Sequence, residues 1–217
     1  MTKRRLIAFD LDDTLYNEID FVLSGYRCVA DLIRERCGVD VFSFMKDAFV
    51  PDRDVFSLTI EHFRLTLDKQ ILIDTYRSHC PDIRLSDETV AALRHLSEIC
   101  RLALITDGRS ATQRAKCRAL RLERFIDPSD WIISDEIGSA KPALAGYLYF
   151  ELKYPGYTYT YVGNNLLKDF IAPNRLGWQA VCLLDNGRNI RPQDFTLPQA
   201  NLPQRSITNL QQFSRLI

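Results

Sequence analysis

Leu6-Ile7-Ala8-Phe9-Asp10-Leu11-Asp12-Asp13-Thr14-Leu15 is an apolar run that ends in a cluster of carboxylates. Residues 6–11 read as a β-strand, and in an extended chain side chains two positions apart lie on one side. Asp10 and Asp12 are therefore expected to face the same point. Asp13 faces elsewhere, and Thr14 leaves the strand. Two carboxylates aimed at one spot repel unless a cation, a proton or a ligand lies between them. Such a pair is unfavourable in a core but suits a metal site, or a nucleophile beside an acid/base group. Taken alone, the same residues also fit a strand running into a solvated acidic turn.

Working outward, four further strand-like runs follow, at residues 102–106, 131–134, 157–162 and 180–184. Helical patterns separate the later ones. Ser86 is placed to cap a helix with Asp87 and Glu88 in its first turn and Val90, Leu93, Leu96 and Cys100 on one face. Residues 110–120 and 142–153 read as two more helices, with Pro142 at a first helical position. Short apolar strands alternating with helices predict an α/β fold with a parallel sheet. The stretch from Asn17 to Asp82 contains no strand pattern. Residues 19–37 carry Val22, Tyr26, Val29 and Ile33 at helical spacing, and 42–49, 55–67 and 69–80 continue in the same manner. This is too long for one crossover helix and reads as an all-helical insertion. Residues 188–204 read as a loop-like tail, and 206–217 as a short closing helix.

Composition narrows the partners. The chain has 217 residues, 46% hydrophobic and 26% charged, enough for one domain with an insertion or for two small domains. Lys plus Arg and Asp plus Glu balance at 28 each, so no global field favours nucleic acid or a membrane surface, and neither is expected as a partner. The six cysteines (Cys28, Cys37, Cys80, Cys100, Cys117, Cys182) include no C-x-x-C pair, and several sit in apolar patterns. Reduced thiols and a cytoplasmic location are expected. The basic start at residues 1–5 precedes an apolar run too short for a signal sequence, and no stretch reaches transmembrane length.

Four predicted strands end in polar residues: Asp10 and Asp12; Thr106, Asp107 and Gly108; Ser134 and Asp135; Gly163, Asn164 and Asn165. In open parallel sheets ligands bind beyond these carboxyl ends. With them in place, the chain resembles the haloacid dehalogenase-like hydrolase superfamily, in its phosphatase branch. Asp10-Leu11-Asp12-Asp13-Thr14 matches a D-x-D-x-T motif. Ile105-Thr106-Asp107-Gly108 is similar to the second motif, Lys141-Pro142 to the third, and Gly163-Asn164-Asn165-Leu166-Leu167-Lys168-Asp169 to the fourth, G-D-x-x-x-x-D. The resemblance implies a Rossmann-like parallel-sheet core at residues 1–15 and 86–217, with a helical cap domain at 16–85.

It also implies chemistry. Asp10 would be the nucleophile of a phosphatase acting on a small phosphorylated metabolite through an aspartyl-phosphate. Asp12 would protonate the leaving oxygen and then take a proton from water. Thr106, with the loop at Asp107 and Gly108, would hold the phosphoryl group, and Lys141 would balance its charge. Mg2+ would be held by Asp10, the carbonyl of Asp12 and residue 164, with Asp169 holding the metal's water or Lys141. The chain departs from the family pattern at residue 164, where Asn164 stands in place of an acid and brings no charge. A weaker magnesium site is expected. Tyr16, Asn17 and Glu18 are candidates for approaching the substrate from the hinge, and Arg27 for a second anionic group, unless Arg27 is simply a solvated helix face. His62, His79 and His95 lack metal-ligand spacing. Phe42, Phe44, Phe49, Phe56 and Phe63 read as the cap's own core. A monomer or homodimer is expected. Two other functions fit the pattern: a metal-independent dehalogenase, which the neutral Asn164 suits and the proton donor Asp12 does not, and a degenerate member that binds a phosphoryl ligand without turning it over.

Overall fold

In a computed structural model that describes residues 4–215, the opening strand β1 (Arg5–Phe9) lies inside a sheet rather than at its edge. Leu6 to Phe9 are buried on both faces, which is why the run is continuously apolar instead of alternating. The described residues form a six-stranded parallel sheet with β2 (Arg101–Thr106), β3 (Trp131–Ile133), β4 (Thr158–Gly163), β5 (Gln179–Leu183) and β6 (Arg205–Ile207), in the order β3-β2-β1-β4-β5-β6. This is an α/β, Rossmann-like arrangement. From β1 the chain builds outward through β2 and β3, then returns to place β4 on β1's other side. The carboxyl ends of β1 and β4 thus flank the point where strand order reverses, the usual place for a ligand crevice.

The chain divides into two compact units, one of residues 1–18 with 84–217 and one of residues 19–83. The second unit is helical: α1 (Glu18–Cys37, starting at the boundary), α2 (Phe42–Asp47), α3 (Val55–Phe63) and α4 (Lys69–Ser78). Asp54 and Asp68 cap α3 and α4 by accepting from the backbone N–H groups of Ser57 (3.1 Å) and Gln70 (2.8 Å). The five phenylalanines expected as the cap's core, Phe42, Phe44, Phe49, Phe56 and Phe63, are half-buried, and the buried core of this unit instead includes Phe21, Tyr26, Val29, Ile33, Met45 and Leu72. Tyr26 meets Phe49, Phe56 and Tyr76, while Phe44 stacks on His62 and meets Phe63 edge-on. Arg27 lies over the ring of Phe42, 5.3 Å from its centroid. Gly25 of α1 is needed where Tyr76 presses in, since a Cβ there would lie 2.4 Å from the tyrosine ring.

The first unit holds α5 (Asp87–Ile99), α6 (Ser110–Ala119), α7 (Ser134–Ile137), α8 (Ala145–Lys153), α9 (Ile171–Leu176) and α10 (Leu210–Ser214) beside the sheet. Ser86 caps α5 as expected, accepting from Thr89 N–H at 3.1 Å. One core cluster joins Leu6, Ala8, Ala103 and Ile105 of the sheet to Tyr147, Phe150 and Trp178.

Three sequence expectations are corrected. The strand does not run to Leu11. Asp10 N–H extends the ladder to Val162 O (2.9 Å), after which Leu15 N–H turns back to Leu11 O (3.0 Å) and Asp13 takes φ 55°. The third helix starts at Ala145, not at Pro142, because Lys141 donates its backbone N–H to Asp107 (3.0 Å) and turns its side chain inward. In the stretch read as one closing helix, Arg205–Ile207 pair with β5 before Asn209 caps the short α10. Its last two positions, 216 and 217, lie outside the described residues, as do the basic positions 1–3. The six cysteines are free thiols. No helix among the described residues is long and apolar enough to cross a membrane.

Candidate active site

Beyond the carboxyl ends of β1, β2 and β4 lies a cleft of about 170 Å³ lined by Asp10, Asp12, Asp13, Glu18, Thr106, Asp107, Asn164, Asn165, Lys168 and Arg191. Four separate stretches of sequence supply these residues. The sheet register brings them together: Phe9, just before Asp10, pairs with Leu104 on one side and Val162 on the other.

At the base of the cleft is a buried charge cluster. Lys141 Nζ sits 2.7 Å from Asp10 Oδ1 and 2.8 Å from Asp169 Oδ1, and donates to Tyr161 Oη at 2.9 Å. The Lys141 side chain is 1% exposed and that of Asp169 fully buried, so this is one cation shared by two acids away from water. Burial is the largest influence on Asp10 and pushes its pKa up. Lys141 opposes that push and Asp169 adds to it, leaving Asp10 at about 7. Burial lowers the pKa of Lys141, but the two acids outweigh it and hold the ammonium charged. The other oxygen of Asp169 accepts the backbone N–H groups of Asn164 (3.0 Å) and Asn165 (2.8 Å). Asp169 therefore anchors both the lysine and the turn after β4. Gly163 is required beside it, because a Cβ there would fall 2.5 Å from Asp169 Oδ2.

Asp12 has different partners. Lys116 Nζ lies 2.7 and 2.9 Å from its two oxygens, Gln113 donates to it at 3.0 Å, and Tyr16 Oη at 2.5 Å. Burial raises its pKa, but these donors, Lys116 foremost, overcome burial and hold it below the ordinary carboxylate value. Gln113 also donates to Thr106 Oγ1 at 2.6 Å. Asp13 was expected to face elsewhere, but it also lines the cleft, with its two oxygens accepting from the backbone N–H groups of Glu18 (2.7 Å) and Ile190 (2.9 Å). Glu18 is one of five acids that line the cleft, with Asp10, Asp12, Asp13 and Asp107. Burial and then Asp12 push its pKa up to about 8.

The remaining predicted residues are placed as follows. Asp107 accepts from Lys168 Nζ at 2.8 Å as well as from Lys141 N–H. Gly108, at φ 142°, donates its N–H to Ser134 Oγ at 3.0 Å. Tyr16 spends its hydroxyl on Asp12, and Asn17 Oδ1 accepts from Asn186 Nδ2 at 2.9 Å. Arg27 belongs to the helical unit. Asn164 is buried, and its Oδ1 accepts from Thr14 Oγ1 at 3.1 Å.

Among the described residues, no group of three His, Cys, Asp or Glu side chains forms a metal cage. The cleft lining offers carboxyl and amide oxygens, without sulfur or imidazole. Such a donor set fits a small hard cation that keeps several of its own waters.

Sequence reading missed Lys116, Gln113, Tyr161, Lys168 and Arg191. A signal existed for the first two. On α6, Gln113 and Lys116 share a buried face with Cys117 and Leu120, so polar groups occupy positions that helical spacing reserves for apolar ones. Arg191 lies in a stretch without periodicity.

Comparison with known proteins gives a consistent result. A family model described as haloacid dehalogenase-like hydrolase matches residues 4–177. The glyceraldehyde 3-phosphate phosphatase of Methanocaldococcus jannaschii is 31% identical over 195 residues, spanning 82% of this chain and 84% of that protein. Magnesium-bound YfnB from Bacillus subtilis superposes with a TM-score of 0.69 at 18% identity over 99% of each chain. The 2-haloacid dehalogenase from Pseudomonas syringae pv. Tomato DC3000 gives 0.64 at 19% identity over 98% of this chain and 97% of its own. At such identities the two structures establish a common fold.

Proposed function

The chain belongs to the haloacid dehalogenase-like hydrolases, and from that membership we propose that it is a magnesium-dependent phosphatase of small phosphorylated metabolites, with Asp10 as nucleophile. The observation that carries this reading is the buried Asp10–Lys141–Asp169 cluster opening on a cleft that also exposes Thr106 and Asp12.

In the reaction, a carboxylate oxygen of Asp10 attacks phosphorus while the ester P–O bond breaks. A proton from the Asp12 carboxyl passes to the leaving oxygen, which departs as an alcohol. Water then attacks phosphorus, gives a proton to Asp12, and breaks the bond to Asp10, releasing inorganic phosphate. A carboxylate is a weak nucleophile, so in-line placement and charge neutralisation supply most of the rate. Lys141 offsets negative charge shared by Asp10 and the phosphoryl group, and the Thr106 hydroxyl holds a phosphoryl oxygen. Asp10, the Asp12 carbonyl and Asn164 are the groups that would hold magnesium, whose charge would screen the phosphate from the carboxylates. Asp169, through Lys141 and the Asn164 backbone, orients rather than reacts. The helical unit is assigned to substrate selection as a cap.

Glyceraldehyde 3-phosphate heads the assay panel, because the relative at 31% identity is a phosphatase of that compound. The test is hydrolysis of p-nitrophenyl phosphate and a panel of phosphorylated metabolites with and without magnesium. Wild type should turn over in a magnesium-dependent manner, and Asp10→Asn should lose at least about 10³-fold. The neutral Asn164 favours the dehalogenase alternative. Halide release from a 2-haloacid without magnesium, with no phosphate ester cleaved, would decide for it.

A further inference from the structure

One face of α6 reaches two cleft residues from different segments, Asp12 in the turn after β1 and Thr106 at the end of β2. Lys116, its side chain 5% exposed, straddles both oxygens of Asp12 at 2.7 and 2.9 Å. Gln113, 2% exposed and one helical turn earlier, bridges Asp12 Oδ2 (3.0 Å) and Thr106 Oγ1 (2.6 Å) with a single amide nitrogen. Space for that bridge depends on Gly108, where a Cβ would come within 3.1 Å of the Gln113 side chain. Packing alone does not call for these residues. A leucine or methionine at 116 would extend the apolar face begun by Cys117 and Leu120, without the desolvation that a buried ammonium incurs. The ammonium instead meets the carboxyl that lines the cleft, and its two contacts fix the plane of that group.

We propose that Lys116 and Gln113 are positioning residues that set the Asp12 carboxyl for proton transfer to the leaving oxygen. The inference rests on the phosphatase reading. Neither residue exchanges a proton. The Asp12 proton goes to the departing oxygen as the ester P–O bond breaks and the Asp10 O–P bond forms. Lys116 and Gln113 hold the donor in line while Gln113 ties it to the hydroxyl of Thr106.

Leaving-group dependence separates this role from a purely structural one. An alkoxide needs the proton in order to depart, whereas p-nitrophenolate does not. The experiment measures kcat/KM for p-nitrophenyl phosphate and for the best alkyl phosphate of the panel, in wild type, Lys116→Met, Lys116→Arg and Gln113→Ala. Lys116→Met should lower the alkyl value by about 10- to 100-fold and the aryl value by less than about threefold. Lys116→Arg should recover part of the alkyl loss, and Gln113→Ala should shift the ratio the same way by a smaller factor. The Lys116 ammonium also favours the ionised form of Asp12, so its removal would by itself aid proton donation. An alkyl value that rises in Lys116→Met, equal losses on both esters, or no loss on either overturns the positioning role. If thermal denaturation shows Lys116→Met unfolded at the assay temperature, the alkyl-to-aryl ratio of Gln113→Ala decides. Wild type that cleaves neither ester overturns the phosphatase reading and this inference with it. Wild type that cleaves both, with an unmoved ratio in the variants, overturns only the role of Lys116 and Gln113.

Discussion

Asp10 has to be both buried and charged. Its side chain is only 7% exposed where it meets the cleft, one ammonium is shared between it and Asp169, and burial pushes its pKa up to about 7. The nucleophile is the carboxylate, so raising the pH through that value should switch activity on. Turnover requires the cation, so the rise is read by titration: in the cation-free protein the 13C NMR shift of the Asp10 carboxyl should show an ionisation limb with its midpoint at about 7. A cation beside the carboxylate favours the charged form, so added magnesium should move this limb to lower pH. A limb that stays in place on magnesium addition would separate the cation from Asp10. Asn164 bears on the same balance. An amide leaves the site one negative charge short of the family pattern, which weakens attraction for a divalent ion and relieves repulsion on Asp10. Asn164→Asp should therefore bind magnesium more tightly, by about 10-fold or more, and calorimetric titration measures it. The acid at position 10 was legible from its place after an apolar run, because a carboxylate following a buried strand needs a counter-charge. Its partner was legible only by resemblance. Nothing in the spacing of residues 10, 141 and 169 says that one lysine serves both acids, while Asp12 takes Lys116 instead.

Elements show where pattern reading works and where it stops. The inner strands β1 and β2 were legible because burial on both faces demands apolar runs, whereas β4, Thr-Tyr-Thr-Tyr-Val-Gly, is buried only from Tyr161 to Gly163 and carries the β-branched and aromatic residues that favour a strand. β6 is three residues long and starts Arg-Ser at the sheet's edge, where one side has no neighbour and polar residues are tolerated. Its strand character comes from pairing with β5, which no local propensity encodes. The start of α8 misled for a related reason. Pro142 suits a helix start, but the third motif must deliver Lys141 inward, and the helix waits until Ala145. At the end of β4, Gly163 keeps the turn against Asp169. Gly163→Ala puts a methyl carbon into that carboxyl and should cost about 1–3 kcal/mol of stability, read from the denaturation midpoint. Activity should fall with it, since Asp169 holds Lys141. A fully active, equally stable alanine variant would remove Asp169 from the account.

For the whole molecule, the division into units of residues 1–18 with 84–217 and of 19–83 gives each its own core. Local and global stability should then be separable. Gly25→Ala forces a methyl group against Tyr76 within the helical unit and is expected to speed amide hydrogen exchange across residues 19–83 by about 5- to 100-fold, equivalent to about 1–3 kcal/mol. Exchange in β1, β2 and β4 should stay unchanged, and equal acceleration in both units would mean that they open as one. The sequence by itself determined the alternation of strand and helix, the long helical insertion, and the polar residues at the strand ends, because hydrophobic periodicity and chain polarity are local properties written in consecutive residues. Only the tertiary structure decided which polar and charged groups meet: Lys141 with Asp10 and Asp169, Lys116 and Gln113 with Asp12, Lys168 with Asp107. Those pairings span many residues of chain and arise when parallel strands come into register, so they depend on distances that no stretch of sequence contains.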